Sequence, residues 1–574
     1  MSKVLLELAD YSEIEDDQPY RARAYRKAAQ IIEATPEPIE GLWREKRLQD
    51  LPGVGENIEK KIDEILRTGK LTTLEKIKAR IPVDVSSLTK IEGIGPKTVE
   101  LLYSQLRVKN IDDLEAAVKA GKLHDFRGLG VKSDATLLER IHAARSQSNR
   151  VLLAQAIVLS ERIEKTLREI PGVSRFTFAG SFRRMRDTIG DFDIIIETDE
   201  PREAIQFFTK NEDEIREVLS AGDTKASVKL QNNNFQVDVR VISKKSWGAA
   251  LLYFTGSKAH NIELRTIAIK KGYRLNEYGL FQASDDSVLV AGSTEQEIYS
   301  ALGMEYIEPE LRENRGEIEA AILHKLPQLL TIQEIKGDLQ MHTKYSDGLE
   351  PINAMVEKAI LLGYEYIAIT DHVGGLKIAN AMDEARIIEQ RKEIDKLNEA
   401  FEKSGSKFHI FQGVEVNIKA DGKLDMPDSV LKRVEIVLAS IHSGFSDDSE
   451  KITRRLTAAM ENENVDIIAH PTGRLIFERS GYSFDLLKVI EVAKNTGTIL
   501  EIDAHANRLD LNDENAREVI KGGVKLSIDT DSHEPAEMDY MKLGVAQARR
   551  AWGTRGDILN TMNRSEIEKF LEIS

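Results

Sequence analysis

Three aspartates and a Gly-Ser turn carry the first sign of chemistry in this chain of 574 residues. In "GDFDIIIE" (190–197), Phe192, Ile194, Ile195 and Ile196 are β-branched or aromatic and predict a buried strand. Asp191 and Asp193 begin it two positions apart, so both side chains leave the strand on one face. Paired carboxylates repel and lose solvation, and something must offset that cost. About 45 residues later "VDVR" places Asp238 on another strand. Three carboxylates on adjacent strands can hold two divalent cations roughly 4 Å apart, as phosphoryl transfer requires. Upstream, "AGSFRRMRDTIGDFD" (179–193) ends a strand at Gly180-Ser181, and Ser181 and Arg184 can hold a triphosphate there. The alternative is a pair of solvated strand-end acids.

Further on, "YFTGSKAHNIELRTIAIKKGYRLNEYG" (253–279) offers Tyr253 and Phe254 as one wall of a sugar pocket, with Gly256 beside them. Asn261 and Arg265, four apart, share a helix face and can meet a base edge. The C-terminal half has a different pattern. "GDLQMHTKYSDG" (337–348), "AITDH" (368–372), "GVEVN" (413–417), "ASIHS" (439–443), "IIAHP" (467–471) and "SIDTDSH" (527–533) each put acids or histidines at the end of an apolar strand. In a barrel those ends converge on one rim. One buried histidine is usually structural, but several that end strands beside acids point to a polymetal site.

The elements that must position these residues follow from periodicity. Residues 1–80 read as short amphipathic helices, such as "RARAYRKAAQIIEA" (21–34). Three related stretches, "LPGVGENIEKKIDEIL" (51–66), "IEGIGPKTVELLYSQL" (91–106) and "FRGLGVKSDATLLERI" (126–141), each place Gly-apolar-Gly before a helix. Backbone N–H groups at Gly53, Gly55, Gly93 and Gly95 can bind phosphate oxygens without reading bases; the third copy, with Asp134 in its helix, is weaker. A long helix is expected at 151–170, strands from about 175 to 290, and alternating strands and helices after 336.

The chain contains no cysteine, which excludes disulfides and thiolate metal sites. Its net charge of −16 argues against nucleic acid at first sight, but residues 1–150 carry +1 and the remainder −17. Carboxylates that bind cations are less negative in use. No stretch predicts a membrane span and the start is too acidic for a signal peptide, so a cytoplasmic, monomeric protein is expected.

Hairpin, Gly-Ser, Asp-x-Asp, third Asp and "YFTGS", in that order and spacing over about 1–315, resemble family X DNA polymerases, the polymerase-beta-like group. The resemblance implies that Asp191, Asp193 and Asp238 bind two catalytic Mg²⁺ or Mn²⁺ ions, and that Ser181, Arg184 and Gly190 contact the triphosphate. Tyr253 matches the residue whose neighbourhood disfavours a ribose 2′-OH, and Asn261 and Arg265 match contacts near the nascent base pair. Lys61 occupies the place of the family's Schiff-base lysine. Its neighbour Lys60 can depress its pKa, but Asn57 stands where relatives carry a further lysine, and plain phosphate binding is the alternative. Na⁺ or K⁺ is a further candidate at the hairpins.

Residues 336–574 resemble the PHP (polymerase and histidinol phosphatase) family. The matching ligands are His342, Asp347, His372, Glu415, His442, His470, Asp531 and His533, which would hold two or three Zn²⁺ or Mn²⁺ ions. Gln340 departs from the motif, standing where that family carries its first histidine, and an amide oxygen is a poorer ligand for such metals. His505 lies after a strand and can compensate or serve as a plain loop histidine. Arg474 and Arg508 can hold substrate phosphate or sit in solvent.

The expected architecture is therefore multidomain. It comprises an α-helical, lyase-like DNA-binding domain (1–80), a fingers-like domain with helix-hairpin-helix motifs (81–150), an α+β nucleotidyltransferase palm (151–243) and a thumb for nucleotide selection (244–315). A linker (316–335) then leads to an α/β PHP domain, a distorted (βα)7 barrel (336–574). The implied function is gap filling in DNA repair with gapped or primer-template DNA and dNTPs. The PHP half would add Mn-dependent 3′–5′ exonuclease, 3′-end processing or cutting at abasic sites. The rivals are a PHP half that serves only as a scaffold, and a nucleotidyltransferase on RNA ends joined to a phosphatase.

Overall fold

The computed structural model describes residues 2–15, 19–33, 39–44, 46–51, 54–68, 70–89, 91, 94–123, 137–138, 140–141, 150–231, 235–376, 379–445 and 447–573. They form two compact units that divide at Arg150.

The first unit is helical. Helix Glu56–Thr68 buries Ile58, Ile62 and Ile65, spaced three and four apart, so one stripe faces the core. Helix Pro96–Leu106 follows Gly95 and places its proline at the first turn, where no N–H is needed. Gly55 and Gly95 are exposed and precede these helices. Gly53, Gly93 and most of the third hairpin, Asp134 included, lie outside the described residues.

The second unit begins with helix Leu153–Glu169, laid against a five-stranded sheet. Strand Asp191–Thr198 runs between Val173–Phe178 (antiparallel) and Gln236–Val241 (parallel). Its run of isoleucines is explained by cover on both faces. Phe192, Ile194 and Ile196 enter the core that holds Ile163 and Leu167 of the long helix. Ile195, on the opposite face, packs with Ile242, Trp247 and Ala250. The span from 175 to 290 is less purely β than its composition suggests: Trp247–Thr255 and Lys258–Lys270 are helices, and "YFTGS" ends the first and turns into the second at Gly256-Ser257. The connection after residue 315 is itself packed, with Ile318, Ala321 and Leu330 buried.

Seven parallel strands then build a barrel: Gly337–Asp338, Tyr366–Ile369, His409–Asn417, Ile436–Ser440, Ile467–Ile468, Ile499–Asp503 and Leu526–Asp529. A parallel bridge from Met341 to Ser532 draws the last strand back to the first. The strands are short and apolar because helices cover them outside.

Candidate active sites

In the palm, Asp193 and Asp238 are direct partners across two parallel strands, and Asp191 lies one pleat from Asp193. The three carboxylates therefore converge on one face. Burial, then the charges of Asp191 and Asp238, push the Asp193 carboxyl up to about 7. Burial and Asp238 also raise Asp191. This all-oxygen donor set suits a hard divalent cation. Such a cation would offset the repulsion among the three carboxylates.

Gly180 has φ +59°, and a Cβ there would lie 2.6 Å from Asp193 Oδ2, so only glycine lets the Gly-Ser turn approach the carboxylates. Arg184 is mostly buried: its Nε donates to Glu313 Oε1 at 3.1 Å and its Nη1 to the Thr255 carbonyl. Gly256 follows, and a Cβ on it would stand 3.2 Å from Arg184 Nη1. The two motifs that flank the site in sequence thus meet at one guanidinium. Ser181 is partly exposed on the same short turn. Tyr253, Asn261 and Arg265 line one pocket with Leu275 and Asn276. Asn261 Nδ2 donates to the Tyr253 carbonyl at 2.7 Å, and the Tyr253 and Phe254 rings meet edge to face at 5.1 Å.

Sequence reasoning missed Arg150. Its side chain donates to Thr188 Oγ1 at 2.9 Å and to the Thr188 carbonyl, and a Cβ on Gly190 would lie 3.1 Å from its Nη1. It also acts electrostatically on Asp191. Nothing local marks it, because its partners are about 40 residues away. Also unforeseen was the buried group behind the turn. Arg183 grips Glu295 through two bonds of 2.8 and 2.7 Å, and Arg312 adds a third at 2.5 Å. Burial would raise the Glu295 carboxyl, but Arg312 and Arg183 outweigh it and hold it at about 2.

In the helical unit, Lys61 Nζ lies 3.5 Å from the Asn57 carbonyl and 5.7 Å from the Tyr25 ring centre. Its neighbour Lys60 pairs with Glu56 at 2.6 Å, which raises the pKa of Lys60.

The barrel gathers all eight expected ligands. His342, Asp347, His372 and His533 form one group whose ligand atoms lie within 4.8 Å of one another; His372, Glu415 and His442 form a second, and His342, Glu415 and Asp531 a third. His470 Nε2 stands 3.0 Å from Glu415 Oε1. The His342 ring lies between those of His372 and His533, each at 4.5 Å. Both His342 ring nitrogens are buried without a hydrogen bond, although Nε2 is 3.0 Å from Asp531 Oδ1. His470 Nδ1 and Gln340 Oε1 are equally without partners. The ligand atoms of His342, Asp347, His372, Glu415, His442, Asp531 and His533 crowd around common points, as metal ligands do. Burial tends to raise Glu415, but the surrounding histidines outweigh it and hold it well below its usual range. Burial lowers His442 to about 3, which keeps its ring neutral and able to ligate.

Gln340 sits in the cluster and turns its amide nitrogen to Glu415 Oε2 (3.2 Å) and Asp531 Oδ1 (3.5 Å). His505 belongs to none of the ligand groups; its Nδ1 meets Asn507 Oδ1 at 2.7 Å and its Nε2 lies 3.5 Å from Glu537. Arg508 reaches the site, 3.2 Å from Asp503 and 3.6 Å from Asp531. Arg474 is a structural tie, donating to the Arg508 and Leu509 carbonyls and to Asp187 Oδ2 at 3.2 Å. No helix among the described residues is long and apolar enough to cross a membrane.

A three-carboxylate palm, a thumb and a histidine-rimmed barrel define a nucleotidyltransferase joined to a metal-dependent phosphoesterase fold. Residues 250–313 match the DNA polymerase beta thumb, 338–521 the PHP domain and 1–71 a helix-hairpin-helix domain. Residues 45–109 and 85–142 match the SAM-like helix-hairpin-helix tandem. The chain is 38% identical over 571 residues to the "DNA polymerase/3'-5' exonuclease PolX" of Bacillus subtilis (strain 168), covering 99% of this chain and 98% of that one. It is 30% identical to DNA polymerase lambda of Arabidopsis thaliana over 51% of this chain and 58% of that one, and 27% identical to that of Rattus norvegicus over 51% and 52%. The chain belongs to the family X DNA polymerases that carry a C-terminal PHP domain.

Proposed function

We propose that this protein is a DNA-directed DNA polymerase that fills short gaps during repair, and that its PHP half trims 3′ ends as a Mn²⁺-dependent 3′–5′ exonuclease. The observation that carries the polymerase reading is the Asp193–Asp238 register with Asp191 one pleat away, beside a glycine turn that any side chain would block. Asp191, Asp193 and Asp238 would hold two Mg²⁺ or Mn²⁺ ions. Held by these carboxylates, such ions would supply the charge that activates a primer 3′-hydroxyl and neutralises the triphosphate. Ser181, Arg184 and the Gly190 backbone orient that triphosphate, and Arg150 stands beside Gly190 to add charge. Tyr253 and Phe254 bound the sugar, while Asn261 and Arg265 face the base pair. The Gly55 and Gly95 turns, with Gly53 and Gly93, grip DNA phosphates, with Na⁺ or K⁺ as a candidate ion. Lys61 is the candidate either to bind phosphate or to form a Schiff base with a 5′-deoxyribose phosphate.

In the barrel, the eight His, Asp and Glu ligands would hold two or three Zn²⁺ or Mn²⁺ ions, which supply a hydroxide nucleophile for phosphodiester cleavage. Arg508 lies where it can neutralise the substrate phosphate. A scaffold role for the barrel is the second reading. It is favoured by one feature: Gln340 offers its amide nitrogen to the acidic ligands where an imidazole would ligate.

One experiment separates the readings. The protein is incubated with Mn²⁺ and a 5′-labelled primer on gapped DNA, without nucleotides, beside His342→Ala. Shortening that the variant lacks supports the exonuclease. No shortening in either, with normal filling once dNTPs are added, leaves the scaffold. Failure to fill the gap sinks the polymerase reading.

A further inference from the structure

The turn that carries Ser181 and Arg184 is not supported by the palm alone. Arg550 closes helix Met541–Arg550 of the barrel half, and its side chain is 1% exposed. Its Nη1 donates to the Arg184 carbonyl at 2.8 Å and to Glu313 Oε1 at 3.1 Å, and its Nη2 donates to Asp513 Oδ2 at 2.6 Å. Glu313 Oε1 also accepts from Arg184 Nε at 3.1 Å. One carboxylate oxygen thus lies between the guanidinium of the turn and a guanidinium from the barrel. Met185, next in the turn, has φ +52°, a conformation a residue with a Cβ keeps only when its surroundings hold it. Arg474 ties the far end of the turn at Asp187, and Phe182 and Met185 pack against a core that includes Leu509 and Leu543.

We infer that Arg550 is a positioning residue for the polymerase reaction: the PHP half sets the backbone of the nucleotide turn and the place of the Arg184 guanidinium. The inference rests on the reading of Arg184 as a triphosphate contact. Without Arg550, Glu313 keeps only Arg184 and the more distant Arg186 (3.7 Å) as cations, and draws Arg184 toward itself. The Arg184 carbonyl also loses its donor, which leaves the peptide before Met185 held by its N–H to the Phe182 carbonyl at 2.9 Å. Both changes withdraw the guanidinium from a phosphate. Because such a contact is made in ground and transition states alike, its loss appears in KM rather than kcat.

Single-nucleotide insertion on gapped DNA by the full chain tests this, with Arg184→Ala, Arg550→Ala, Arg550→Lys and Arg549→Ala. Arg549 is the seam control, since it binds Glu310 at 2.7 Å and the Leu330 carbonyl at 2.8 Å but not the turn. The expected result is a KM for dNTP raised roughly tenfold or more in Arg184→Ala and Arg550→Ala, with kcat within about threefold. Arg550→Lys keeps a buried cation, and so the fold, but loses the two-pronged fork and shifts KM in the same direction by less. Arg549→Ala keeps the wild-type KM. Circular dichroism and the thermal midpoint check folding independently, and Arg550→Lys decides if Arg550→Ala does not fold. A wild-type KM in folded Arg550→Ala or Arg550→Lys, or a loss confined to kcat, overturns the inference. A wild-type KM in Arg184→Ala overturns the triphosphate reading beneath it.

Discussion

Replacing Asp193 by Asn should stabilise the metal-free protein, and the gain should depend on pH. The Asp193 carboxyl rises from 3.8 to about 7 on folding, first through burial and then through Asp191 and Asp238. A carboxyl raised in the folded state binds its proton more tightly there, so acid favours folding. The penalty is absent below 3.8, grows as pH rises, and is complete above about 7. At about 1.36 kcal/mol per pH unit, the full penalty is on the order of 4 kcal/mol, of which about 2 is present at pH 5. Asparagine keeps the shape and removes the charge. Urea unfolding in EDTA, followed by tryptophan fluorescence, should show the variant more stable than wild type by a margin that widens from pH 5 to pH 8. Saturating Mg²⁺ should close the gap by stabilising the wild type more, because the cation replaces the proton. A margin that is equal at both pH values would refute the electrostatic argument. A gap unaffected by Mg²⁺ would refute the assignment of the cluster as a cation site.

Three further outcomes are expected. Gly180→Ala should abolish nucleotide insertion while leaving exonuclease activity, since its Cβ would lie 2.6 Å from Asp193 Oδ2; insertion assays on gapped DNA check this. Arg312→Ala should cost about 3 kcal/mol in unfolding experiments, because it leaves buried Glu295 with Arg183 as its remaining guanidinium and empties the space of a side chain that is 0% exposed. Gln340→His should raise the metal bound per chain, measured by elemental analysis after dialysis, because an imidazole would replace an amide that now faces Glu415 and Asp531; unchanged stoichiometry would mean that Gln340 lies outside the ligand sphere.

Much of the placement of the candidate site residues was legible because it repeats with local structure. Asp191 and Asp193 declare a shared face through the period of a strand, and the barrel histidines declare themselves by ending apolar runs, one after another. The alternation after residue 336 needs parallel strands, and parallel strands need covering helices. What local pattern could not supply was pairing across long separations. The register that sets Asp193 against Asp238 is a tertiary choice, as is the approach of Arg150 to Gly190. The helix that leads into "YFTGS" was hidden because residues 247–255 are apolar nearly throughout, which suits a buried helix or a strand. Residues 316–335 read as a charged connection, yet Ile318, Ala321 and Leu330 bury themselves. The tie from Arg550 to Arg184 joins residues 366 positions apart and leaves no trace in composition or spacing. Motif spacing records which side chains a strand or helix brings to one face. Which faces then meet is decided by the packing of whole elements, where a single buried guanidinium must find every partner it needs in the folded chain.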